Sequence, residues 1–163
     1  MTRVVLPMVA LLAALASSAV AEPTGEVRAL ENDFAKACAS GDVAEVVRLY
    51  ADDARVIWPG EPEETRGRAA FERLVADACR PDRGFGITLG DLEVVPLDAS
   101  HAVALVHWND TLRGPDGRPF PFRVRASQVL AKTRSGWRIL VDHASIGLPP
   151  PPPSPGAEPP REE

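Results

Sequence analysis

"SGDVAEVVRLYADDARVIWPG", residues 40–60, holds a helix, its stop and the first strand in one stretch. Asp42 is a good N-cap and Glu45, three positions on, completes a capping-box pattern. Val43, Val46, Val47 and Tyr50 then recur at helical spacing, so they share one inward face. "ADDA" ends that helix, and "RVIW" reads as a short strand stopped by Pro59-Gly60. Upstream, Val27, Leu30, Phe34 and Cys38 form the apolar stripe of a helix over 25–39. Downstream, "EPEET" is a polar loop, and "RGRAAFERLVADAC" is a third helix burying Phe71, Leu74, Val75 and Ala78.

After "RPDRG" the apolar period falls from 3.6 to 2. "FGITLGDLEVVPL", "HAVALVHWNDTL", "FPFRVRASQVLAK" and "WRILVDHAS" read as four strands, with "RGPDGRP" and "TRSG" as hairpin turns between the last three. Helices followed by an antiparallel meander predict an α+β fold, with the helices on one face of a curved sheet.

The two ends have a different character. Residues 1–21 join a basic start ("MTR"), an apolar run and a small-residue ending ("SSAVA"), the layout of a secretory signal peptide cleaved between Ala21 and Glu22. The run is short and contains Pro7, whereas a membrane span needs about 20 apolar residues. The tail "LPPPPPSPGAEPPREE" holds eight of the seventeen prolines, so residues 149–163 are expected to be an extended, disordered chain that joins no core. One domain, 22–148, remains between them. The expected location is therefore periplasmic or secreted, with no stable membrane anchor after cleavage.

Formal net charge is −5, and losing Arg3 with the leader makes it −6, which leaves nucleic-acid binding without electrostatic support. Cys38 and Cys79 are the only cysteines. In an oxidising compartment they form either a single bridge or two buried thiols. A bridge would close a loop of about 41 residues, worth roughly 4 kcal/mol in the chain-entropy model.

"SGDVAEVVRLYADDARVIWPG", "RGRAAF" and "GWRILVDHAS" together resemble the nuclear transport factor 2-like superfamily. The similarity is to its SnoaL-like and ketosteroid isomerase-like branch and to the association domain of calmodulin-dependent kinases, over residues 25–148. It implies a cone of bent sheet (the cystatin-like fold) around a long helix, a pocket at the open end and homodimerisation through the sheet. Ketosteroid isomerases use a helix tyrosine, an aspartate base and a protonated carboxylic acid. Ungapped counting puts Phe34, Trp58 and Gln128 at those positions. Phe34 cannot donate and Trp58 cannot accept a proton, so that isomerase route is not expected.

The expected ligand-binding set is Phe34, Trp58, Gln128, Val141 and His143, with walls from Val124, Ala126 and Ile139 and with His107 in reserve. Strict alternation along 137–145 puts His143 on the Trp137/Ile139/Val141 face and Asp142 on the other. His143 is then either a general acid/base or a hydrogen-bonded strand end, with Gln128 or Ser145 in reach. His107 shares a face with Asn109, and Trp108 shares the other with Asp110. Arg123, Arg125 and Ser127 are assigned to the outer sheet face. The histidines and cysteines lack close ligand spacing, so neither a metal site nor a cofactor is expected.

Three functions follow. The first is a non-catalytic homodimer that binds a small apolar ligand in the cone. The second is a small isomerase, cyclase or dehydratase in which His143 moves a proton. The third is a protein-interaction module whose pocket is filled.

Overall fold

The computed structural model describes residues 23–114 and 116–147; the leader expected over 1–21 and the proline-rich tail over 149–163 lie outside the described residues. Helix α1 spans Thr24–Ser40 and α2 spans Val43–Arg48. Strand β1 is Tyr50–Ile57, β2 is Thr65–Arg66 and α3 is Arg68–Ala78. A 3-10 turn at Pro81–Arg83 leads to β3 (Gly86–Pro96), β4 (His101–Arg113), β5 (Pro119–Thr133) and β6 (Gly136–Ile146).

The α+β expectation holds. Six strands form one sheet in the order β2-β1-β6-β5-β4-β3, antiparallel throughout except where β1 runs parallel to β6. The helices cover its concave face, and Val27, Val46, Val56, Val75, Val106, Leu130 and Ile139 form the fully buried centre of the core. Helix α2 begins where expected, because the Asp42 carboxylate accepts the Glu45 amide at 3.1 Å. Only half of the capping box forms, since the Glu45 side chain takes Arg48 instead.

Strand β1 starts earlier than the sequence implies. Tyr50 opens it rather than closing α2, and "ADDA" continues the strand with Asp52 and Asp53 pointing outward. An aspartate pair reads as a breaker only when its neighbours cannot pair. Here Tyr50 pairs with Ile139 of β6, and β1 bulges before Arg55 pairs with Val141.

A second irregularity matters more. Along β5 and β6, Val129 pairs with Val141 but Leu130 pairs with Ile139. Leu140 is therefore an extra residue on β6, and one extra residue moves every later side chain to the other face. Trp137 and Ile139 point inward as expected, but beyond the bulge the inward residues are Asp142 and Ala144. The inward assignment of Val141 and His143 is corrected: both are exposed. Strand β3 bends in a similar way between Leu89 and Leu92. A Cβ at Gly90 would sit 2.9 Å from the His107 carbonyl oxygen, so only glycine fits there.

Cys38 and Cys79 form a disulfide that ties the end of α1 to the end of α3. Replacing both cysteines with alanine is expected to lower unfolding free energy by about 2–4 kcal/mol in denaturant titration. A loss well under 1 kcal/mol would show that α3 holds its place without the tie.

Candidate functional site

The bend of the sheet and the span of α3 leave an open cavity of about 360 Å³ at the wide end of the cone. Helix α1 contributes Phe34 and Cys38, α3 contributes Leu74 and Ala78, and Cys79 follows at the α3 C-cap. The segment after β1 brings Trp58, and the meander strands bring Ile87, Trp108, Asp110, Phe122, Val124, Ala126, Gln128, Asp142 and Ala144. Phe34 stands in the middle, its ring 5.4 Å from Trp108 and 5.9 Å from Trp58 between centroids. Phe71 braces the far side, 4.5 Å from Tyr50 and 5.7 Å from Trp58. The filled-pocket alternative does not hold for the described residues.

Behind this aromatic lining lies a buried polar group. Asp142, 3% exposed, accepts the Tyr50 hydroxyl at 2.7 Å and the Trp58 indole N–H at 2.9 Å, both on Oδ2. Gln128 stands opposite Asp142 in the strand register and lies between it and Glu31 of α1. Glu31 is fully buried. Among the described residues five buried oxygens on four side chains have no hydrogen-bond partner of ordinary geometry: both of Glu31, Oδ1 of Asp142, Oε1 of Gln128 and Oδ1 of Asp110.

Burial governs the charge states. Desolvation, and after it the negative charge of Asp142, pushes the Glu31 carboxyl up to about 8, against a small downward pull from Gln128. Burial also raises Asp142, and the hydrogen bonds from Trp58 and Tyr50 oppose that. Tyr50 is held well above its ordinary value by burial and by the charge of Asp142. Asp110 rises to about 7 through burial alone. Two donors on Oδ2 favour the ionised form of Asp142, so within the Glu31–Asp142 pair it is Glu31 that holds its proton more firmly. The site thus holds a buried acid, a hydrogen-bonded carboxylate and, on the cavity wall, a carboxyl poised near neutrality.

Of the residues singled out in the sequence, Phe34, Trp58 and Gln128 come together at the cavity, with Val124 and Ala126 beside them. Ile139 lies in the core rather than the wall, and Val141, His143 and His107 lie outside the cavity. His143 faces Ser127 across the strands, not Gln128, and Ser145 accepts Arg125 at 3.3 Å. Arg123 and Arg125 are exposed, as expected for the outer face. Four residues of the site were missed. Glu31 left a signal, because it falls on the Val27/Phe34/Cys38 stripe where a carboxylate does not belong. Tyr50 was placed inward but on a helix. Asp110 shares a face with Trp108, and this is the concave one. Asp142 left none, since the Leu140 bulge has no local signature.

Residues 27–149 match the SnoaL-like domain family, and the chain belongs to it. The match spans the sheet and the helices that enclose the cavity described above. Solved structures agree on the nuclear transport factor 2-like, cystatin-like fold. A ketosteroid isomerase-like protein from Erwinia carotovora atroseptica superposes with a TM-score of 0.64 at 20% identity, over 79% of this chain and 99% of that one. A candidate dehydratase of the NTF2-like family from Streptomyces avermitilis gives 0.66 at 22%, over 77% and 96%. An NTF2-like protein with a cystatin-like fold from Novosphingobium aromaticivorans gives 0.65 at 21%, over 75% and 80%. At these identities the likeness is one of fold. No curated protein matches the chain.

The buried acids make stability depend on pH. A carboxyl raised in the folded state binds its proton where the unfolded chain has already released it, so stability is greatest below about pH 4.5 for that group and falls as pH rises through about 8. Between pH 5 and pH 8 the Glu31 contribution should decline by up to about 1.4 kcal/mol per unit. Denaturant titrations at three pH values are expected to show this slope, and Glu31→Gln is expected to flatten it. An unchanged slope in that variant would mean that Glu31 does not hold the proton.

Proposed function

We propose that the cone binds a small, largely apolar molecule bearing hydrogen-bond donors. The observation that supports this is the pairing of an open aromatic cavity with buried, unpartnered acceptors on its wall, Asp142 Oδ1, Asp110 Oδ1 and Gln128 Oε1. Buried polar atoms cost free energy unless something satisfies them, and a ligand with hydroxyl or amino groups would do so. Phe34 and Trp58 would form the apolar faces of the site, and Gln128 would orient the ligand.

A second reading, an isomerase-, cyclase- or dehydratase-type enzyme, draws support from the raised carboxyls of the cavity wall. In that reading Asp142 or Asp110, not the exposed His143, would move the proton, and the Tyr50 hydroxyl would steady Asp142. The two readings separate by turnover of whatever the cavity holds.

Export to the periplasm or medium is part of the proposal. It rests on the leader-like residues 1–21 and on a disulfide that suits an oxidising compartment. Among the described residues no helix is long and apolar enough to cross a membrane. A homodimer is also proposed, through the outer sheet face. There Val95, Val103, Val129 and Val141 stand in register across four strands, beside a row containing Leu105, His143 and Ile57. Such an ordered apolar band on a sheet suits burial against a second copy.

Native mass spectrometry of the exported protein is expected to show a mature start at Glu22, a dimer and a co-purified small molecule. Ala126→Phe should fill the cavity and reduce ligand occupancy at least tenfold while the protein still folds. Full occupancy in that variant would remove the cavity from consideration. Val129→Glu is expected to give a monomer in light scattering, and a persistent dimer would move the interface elsewhere.

A further inference from the structure

The charge of the cavity wall is one-sided. Asp110 and Asp142 are both buried and line it, Glu61 stands at its rim, and among the described lining residues there is no lysine, arginine or histidine. The remaining surface is dominated by the rings of Phe34, Trp58, Phe85, Trp108 and Phe122. Aromatic faces present negative potential to a bound cation, and buried carboxylates complete its charge. A neutral ligand would offer no counter-charge to the ionised form of Asp110.

Resting on the reading that the cavity takes a small molecule, we propose that its ligands are organic cations, apolar or aromatic amines whose ammonium group sits against Asp110. The two aspartates differ in what they offer. Asp142 has one oxygen already committed to Tyr50 and Trp58, and its Oδ1 is sealed from solvent. Asp110 has no such support; on the flanking strands Ile87 and Phe122 stand opposite it, and Oδ1 is unpartnered. An ammonium group would supply the positive charge that this wall lacks. It would also hold Asp110 ionised and so release the proton Asp110 otherwise keeps. The groups that share this field are Glu31, Tyr50 and Gln128 around Asp142, Glu61 and Asp77 at the rim, and His143 on the other side of β6.

The test compares three probes of one shape on the full-length protein by titration calorimetry: tryptamine, tryptophol and indole-3-propionate. The amine is expected to bind at least tenfold more tightly than the alcohol, with no measurable binding of the acid. The amine's advantage should grow from pH 6 to pH 8, as Asp110 gives up its proton. In Asp110→Asn the amine-to-alcohol ratio should fall toward one. Equal binding of amine and alcohol to the parent protein would overturn the cation assignment and leave the cavity reading standing. Binding of none of the three at millimolar concentration would overturn both. A ratio unchanged in that variant would overturn the assignment to Asp110.

Discussion

One residue too many in β6 organises the interior of this protein. Leu140 has no partner of its own on β5, and beyond it the strand presents Asp142 and Ala144 to the concave side where strict alternation would have presented Val141 and His143. The consequence is chemical as well as geometric. A carboxylate enters the apolar base of the cone, where water cannot solvate it, and the surroundings must replace that water. Tyr50 and Trp58 do so on Oδ2, and both lie on the chain segment that carries β1 alongside β6. The parallel pairing of those strands and the solvation of Asp142 are two sides of one arrangement.

The same carboxylate sets the state of Glu31. Two buried acids near each other cannot both be charged at moderate cost, so the one with fewer donors keeps its proton. Glu31 has no donor of ordinary geometry, Asp142 has two, and Gln128 lies between them. Ionisable groups retained at the base of an aromatic cavity are a burden to folding, which the core and the Cys38–Cys79 tie offset. That burden is the physical ground for the proposal that the cavity takes a ligand.

Sequence reasoning reached the aromatic half of the site and missed the acidic half. Phe34, Trp58 and Gln128 were found because helical stripes and strand alternation are local, and each sits on a segment whose period is regular up to that point. Asp142 and His143 were exchanged because alternation was extended through a bulge. Asp110 could be grouped with Trp108 but not assigned to a face, since two strand faces look alike until something packs on one. Glu31 was legible in principle, as a carboxylate interrupting an apolar stripe.

The amino-acid order by itself determined the α+β class, the helix-to-meander sequence of elements, the residues of the apolar core and the two cysteines available for a bridge. All of these follow from periods of 3.6 and 2 and from turn residues, which act over a few positions. Only the tertiary structure decided which face of the sheet is concave, that Leu140 is unpaired, and that Glu31, Tyr50, Gln128 and Asp142 meet. Those outcomes depend on contacts between segments far apart in the chain, as in the Tyr50–Asp142 hydrogen bond across 92 residues, and no short-range pattern encodes such a register.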